Sequence, residues 1–483
     1  MVRSIQKYQL QSAGDAICRA VFIGMLCLLF WLPLPFGSAR IWATSLFEII
    51  VFFLLSAWII GALFSGSSSY RLAKISVLLF FFTLWVGWLL FSLIPLPAEF
   101  LSLLAGIPKE LHESASAFSD EKAYRIISIN PQKTWDSIML TLGLLGLFFL
   151  VFLCTRRRDD KRLVMWILLC SGAAQAMYGS MMVITGLEYG FFTEKTAYRG
   201  YATGTFVNRN HMAGYMEMTL SAGIGLLLSY RNVVPADSAN QKINLVISWF
   251  LSAKFALRVM LALMVVALVL TRSRMGNTAF FFALGIVGLL YVFYVDRKYL
   301  WRAIFIFVSI LVIDLWILGS WFGLDQLVER LEKTDIATSS RQLVFHDLIE
   351  IIHQNFWVGV GLGNFSDIYS QYRSDGMLLA FYEAHNDYAQ FWIETGLIGC
   401  LILSAVCLWT LVHAFLVIKR RNDYLATGTA FAFIMAFISL AIHSVADFNL
   451  QIPANAATLM VLMALVWTTS SQKRKRAISD TIV

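Results

Sequence analysis

A chain of 483 residues that is 59% hydrophobic and only 14% charged, with a mean hydropathy of +0.70, carries more apolar surface than a soluble fold can bury. Lipid, not water, is its expected solvent. The formal charge of +8 and pI near 9.1 fit Lys and Arg collected in cytoplasmic loops rather than a nucleic-acid surface, and six cysteines without a CxxC pair exclude a disulfide framework or zinc site.

Recurring apolar runs predict an all-α fold, a polytopic transmembrane helical bundle of about twelve spans. These lie near 17–37, 42–63, 75–96, 135–155, 163–186, 211–230, 256–271, 277–295, 303–322, 396–417, 424–445 and 455–470. The first is read as an anchor, because no small-residue cleavage site follows it. When the spans are counted, the basic clusters all fall on the side of the N-terminus. They are Arg71 with Lys74, then Arg156, Arg157, Arg158, Lys161 and Arg162, then Arg297, Lys298 and Arg302, then Lys419, Arg420 and Arg421, and the tail from Lys473 to Arg476. The positive-inside rule then makes both termini cytoplasmic and leaves the other loops extracytoplasmic. Four regions follow: N-terminal spans over 1–190 with an outer segment near 97–134, central spans over 191–322, an outer loop over 323–395, and C-terminal spans with a basic tail over 396–483.

The outer face holds 187–210, the tight turn 271–276, the long loop 323–395 and the link 446–454, while 97–134 offers few features to interpret. Loops as long as 323–395 are usually functional. Within it, Ser339 and Gln342 read as a capping box, and Val344, Leu348, Ile351 and Ile352 recur at helical spacing, predicting an amphipathic helix over 340–355. Gly359 to Gly363 must be a turn. A second helix should start near Asn386 and end at Gly396, which suits a C′ position.

Arg and His gather on this face against the general charge bias. Arg199, Arg209 and His211 lie in 198–211, Arg272 and Arg274 in Thr271-Arg272-Ser273-Arg274, Arg341 opens the loop helix, and His385 precedes Asn386. Converging guanidinium forks suit a diphosphate; the plainer alternative is that each Arg pairs with a local carboxylate or snorkels. His385 suits a general base, the alternative being a histidine that caps the following helix. His346 and His353, seven apart, lack a carboxylate to complete a metal site, and His443 reads as structural, with Asp447 four residues on. Glu217 and Asp314 lie inside spans, where ionisable groups are functional suspects. Glu217, about two turns inward from Arg209, is that guanidinium's expected partner, with a purely structural ion pair as the alternative. There is no P-loop and no Ser-His-Asp set. The Gly359–Gly363 run follows a helix rather than a strand, so it is not read as a dinucleotide loop.

Thr203-Gly204-Thr205-Phe206-Val207-Asn208-Arg209-Asn210-His211-Met212-Ala213-Gly214-Tyr215 resembles a segment of the bacterial O-antigen ligase and O-antigen polymerase superfamily. So do Arg341 heading a helix that runs to Gly359-Val360-Gly361-Leu362-Gly363-Asn364-Phe365, Ala384-His385-Asn386-Asp387-Tyr388 with Glu394-Thr395-Gly396-Leu397-Ile398-Gly399, and Asp447-Phe448-Asn449-Leu450-Gln451-Ile452-Pro453-Ala454. The match runs from about 195 to 460. It implies a GT-C type glycosyltransferase that takes a glycan from undecaprenyl diphosphate on the periplasmic side, with no cofactor, no metal and no nucleotide sugar. The resemblance makes Arg209, Arg274 and His385 the key residues, with Arg272 a close competitor for Arg274. Arg341, Arg199, His211 and Asn386 stand in support, and Phe345 departs from the family's usual Trp. The implied partners are the lipid-linked donor, a lipid A-core or growing-glycan acceptor, and membrane lipids, with no nucleic acid. A repeat-unit polymerase is the alternative within the superfamily. An anion transporter of the bicarbonate kind is the alternative outside it, disfavoured because no internal duplication is visible.

Overall fold

The computed structural model describes residues 2–66, 72–97, 124–190, 192–230, 252–295, 301, 347–372, 382–420 and 423–469. Its long elements are all helices: α1 (Val2–Trp31), α2 (Ile41–Ser65), α3 (Ser76–Phe91), α4 (Pro131–Cys154), α5 (Arg158–Thr185), α6 (Arg209–Leu228), α7 (Ala253–Leu270), α8 (Arg274–Tyr294), α9 (Phe365–Tyr372), α10 (Asp387–Arg420), α11 (Tyr424–His443) and α12 (Pro453–Thr469). The only strands among the described residues are two antiparallel two-residue pairings, Leu96–Pro97 with Tyr124–Arg125 and Tyr189–Gly190 with Thr193–Glu194.

Nine helical segments among the described residues are long and apolar enough to cross a membrane, so the chain is a multi-pass membrane protein. Two further expected spans are present as helices of another character. α12 is short, and α6 is rich in Gly, Ser, Thr and Ala and is buried along most of its length. Such a helix is held by close backbone packing rather than by lipid, and α6 accordingly lies at the centre, against α5, α7, α8, α11 and α12. The expected span 303–322 lies outside the described residues. So do Arg341, Asp314, His346, Phe345, the Ser339–Gln342 cap, residues 98–123, and the basic residues Arg71, Arg297, Lys298, Arg302, Arg421 and 473–476.

Residues 347–354 are helical as expected, and Leu348 and Ile351 enter a small core of their own with Val360, Phe365, Ile368, Tyr369, Ala384 and Ile393. The helix starting at Asp387 does break at Gly396, but it resumes and runs on to Arg420 instead of ending there. The break has a packing cause. Gly396 sits at φ +65°, and a Cβ on it would overlap the Trp357 carbonyl. The amides of Leu397 and Ile398 donate to the carbonyls of Phe356 and Trp357 at 2.8 and 3.3 Å. The glycine run seals the same junction: Val360 and Gly361 amides donate to the Ile393 and Glu394 carbonyls at 3.0 and 2.9 Å, satisfying the broken helix end. The stretch before α4 is the seat for this cap. Ile129 N donates to Val360 O at 3.0 Å, Asn364 Nδ2 reaches Ser128 Oγ at 3.1 Å and Thr134 Oγ1 at 3.0 Å, and Lys133 pairs with Asp367 at 2.6 Å.

Candidate active site

Asn208 caps α6, its side chain accepting from the Asn210 amide at 2.9 Å. That cap sets Arg209 and His211 in the first turn. Ser273 caps α8 in the same way, through the Gly276 amide at 3.3 Å, and sets Arg274 at the first helical position. The Ala202 amide donates to Leu270 O at 3.1 Å, binding the segment before α6 to the end of α7. These ties bring Arg209 and Arg272 onto one aromatic ring. Their guanidinium carbons stand 4.3 and 5.5 Å from the Tyr201 centroid, and Arg209 is also 5.8 Å from that of Tyr198. The ring faces attract the cations, and among the described residues Arg209 Nε is buried without a hydrogen-bond partner. Two like charges gathered on one ring suit a multivalent anion.

The imidazoles form the other half. Asn386 caps α10, accepting from the Ala389 amide at 3.0 Å and donating to Val445 O at 3.0 Å; the capping role therefore belongs to Asn386 and not to His385. The Asp387 amide donates to Ser444 O and Asp447 O, and its carboxylate accepts from Ser444 Oγ at 2.7 Å and Leu450 N at 3.1 Å. So held, the link after α11 places Asp447 Oδ1 3.7 Å from both His385 Nδ1 and His211 Nε2. The Phe448 ring meets both imidazoles edge-on, with centroids 4.5 Å from His211 and 4.8 Å from His385. Asp447 is 1% exposed and His385 49%, so His385 is the open member. Burial pushes the Asp447 carboxyl up, but the contacts of His211 and His385 outweigh it and hold it well below the usual carboxylate range. The halves adjoin, because Arg209 shares the first turn of α6 with His211, whose Nε2 lies 3.7 Å from Asp447 Oδ1.

Gln390 clamps the approach to His385, accepting from the Ala384 amide at 3.1 Å and donating to Glu383. Burial pushes the Glu383 carboxyl up, against the Gln390 hydrogen bond and the charges of His385 and Lys133.

Of the expected residues, Arg209, Arg272, His211, His385 and Asn386 converge, and Arg274 stands two residues from Arg272. Arg199 lies apart in a surface ion pair with Glu194 at 2.6 Å. Glu217 does not pair with Arg209. Its carboxylate takes His443 Nδ1 and Ser439 Oγ, each at 2.6 Å, because α11 rather than the start of α6 faces it. Asp447, Tyr201 and Tyr198 carry no role in the sequence reading, since their meaning lies in contacts across the fold. Among the described residues no group of three or more His, Cys, Asp or Glu is arranged to hold a metal ion.

Residues 259–404 match the family model described as O-antigen ligase. No curated protein matches the chain.

Proposed function

We propose that this multi-pass membrane protein works as a member of the O-antigen ligase and polymerase superfamily, a reading supported by the match over residues 259–404, and that it moves a glycan from undecaprenyl diphosphate to an acceptor on the periplasmic face of the inner membrane, as an O-antigen ligase acting on lipid A-core. What carries the reading is the pairing of Arg209 and Arg272 on Tyr201, next to a half-exposed imidazole backed by a buried carboxylate.

The acceptor hydroxyl attacks the anomeric carbon, the bond from that carbon to the diphosphate oxygen breaks, and the diphosphate departs as an anion. Arg209 and Arg272, with Arg274 at the start of α8, hold that anion and offset the charge developing on it. His385 accepts the hydroxyl proton. Asp447 is a positioning residue, orienting His385 and favouring the imidazolium that forms. Both termini are cytoplasmic in this proposal, and the reaction uses no metal ion and no nucleotide sugar.

The test is complementation of a gene-deleted host with Arg209→Ala, Arg272→Ala, Arg274→Ala and His385→Ala, separating lipid-linked from finally attached glycan on gels. Arg209→Ala and His385→Ala should each reduce transfer at least about 100-fold. Polymer stranded on undecaprenyl diphosphate identifies a ligase, and single repeat units identify a polymerase. Near-normal transfer in both variants would sink the assignment.

A further inference from the structure

The Glu217, Ser439 and His443 group lies beneath the site, and no step of the proposed reaction uses it. α6 and α11 run antiparallel in close contact. At their far end the helices touch backbone to backbone, since a Cβ on Gly225 would overlap the Gly428 carbonyl. Toward the site, Glu217 takes over. Its Oε2 accepts from Ser439 Oγ and its Oε1 meets His443 Nδ1, both at 2.6 Å, and the Glu217 and His443 side chains are 0% exposed. The start of α8 crosses at the same point, where a Cβ on Gly276 would lie 2.7 Å from Ala213 Cβ and 3.1 Å from Glu217 Oε1.

Three elements therefore meet at one carboxylate. α6 carries Arg209 and His211 two turns away. α8 begins with Arg274. α11 ends at His443, and its continuation delivers Asp447 to His385. An apolar contact at this depth would tolerate sliding. A hydrogen-bonded polar pair with no water to replace its partners favours one register.

We propose that Glu217 and His443 are positioning residues that fix the spacing between the Arg209 side of the site and the His385–Asp447 side. The proposal rests on the glycan-transfer reading above. It concerns geometry, so the pair acts through its hydrogen bonds rather than through its charge.

The experiment uses the full-length purified protein with lipid-linked glycan donor and acceptor, and measures kcat and donor KM on the monodisperse fraction. Glu217→Ala and His443→Ala should each lower kcat about 100-fold, as displacements near 1 Å do, with KM within about threefold. The double variant should be little worse than either single one, because the two residues act as a unit. Glu217→Gln, which keeps the shape and an acceptor oxygen, should restore most of kcat. If the alanine variants do not accumulate, Ser439→Ala decides: a lower kcat at unchanged KM supports the proposal, and an unchanged kcat overturns it. Wild-type kcat in Glu217→Ala overturns it as well, and so does Glu217→Gln as impaired as Glu217→Ala, which would assign the role to charge. His385→Ala run in parallel separates the two readings. If it turns over normally, the transfer assignment fails; if it is inactive while Glu217→Ala is normal, only the positioning role fails.

Discussion

Tyr198, Arg272 and His385 occupy the left-handed backbone region, at φ +56°, +50° and +49°. Each placement costs roughly 1–2 kcal/mol for a residue with a side chain. All three belong to the candidate site, and each is tied down by neighbours that supply the cost. His385 is held between the Ala384 amide bonded to Gln390 and the Asn386 cap, which is why a loop residue can aim at a carboxylate on another element. Glu383 belongs to the same clamp, and its raised carboxyl pKa makes a pH prediction. The sign is direct: a group raised in the folded state favours folding below its unfolded pKa, and that advantage is lost as pH rises through the folded value. Burial thus disfavours the ionised form of Glu383 in the folded state. Glu383→Gln, which retains an acceptor for Gln390, should raise the thermal midpoint by on the order of 1–2 °C at pH 8. The gain should vanish near pH 4. A loss of stability at pH 8 would mean that the neighbouring His385 and Lys133 charges outweigh burial.

The helix break at Gly396 is an element-scale device, joining the cap to the membrane bundle through one strained glycine. Replacing it adds a Cβ against the Trp357 backbone at a φ of +65° that L residues rarely adopt. Gly396→Ala should therefore separate the loop 356–358 from α10 and cost at least about 2 kcal/mol. The check is the melting temperature of the purified variant and the rate at which protease nicks its cap. A midpoint within about 1 °C of wild type would show that the junction relaxes freely. The glycine signal was legible in the sequence, and so were the second helix start at Asn386 and the apolar face of Leu348 and Ile351. What the signal meant was not. A C′ glycine and a mid-helix break share the same left-handed residue, and only the backbone packed against it distinguishes them. Asp447 was equally opaque, because its partners His211 and His385 lie 236 and 62 residues away in the chain. Spacing along α6 points Glu217 to Arg209, because sequence spacing favours near neighbours. Across the bundle α11 offered a closer donor, and spacing along one helix carries no trace of that.

The two ends of the bundle differ in chemistry. One end gathers the basic cluster of Arg156, Arg157, Arg158, Lys161 and Arg162, with Arg158 paired to Asp423 at the start of α11. The opposite end gathers Arg209, Arg272, Arg274 and His385, held by caps, aromatic rings and buried carboxylates. Basic residues in connections orient a membrane protein by staying in the cytoplasm, whereas Arg on the far side must be retained by a local purpose. The proposed orientation follows, and it is needed by the chemistry: a lipid diphosphate is a donor that arrives already activated where no ATP exists. Single-cysteine labelling tests it directly in a complementing background whose six native cysteines are replaced. Phe192 is 89% exposed at the Arg209 end, and the Asp159 side chain is 89% exposed at the other. With the outer membrane permeabilised and the inner membrane intact, a membrane-impermeant maleimide should label Phe192→Cys at once and Asp159→Cys only after lysis. The reverse pattern would place the arginine cluster in the cytoplasm, where an activated lipid donor has no special advantage, and with it the periplasmic transfer proposed for this site would have to be abandoned.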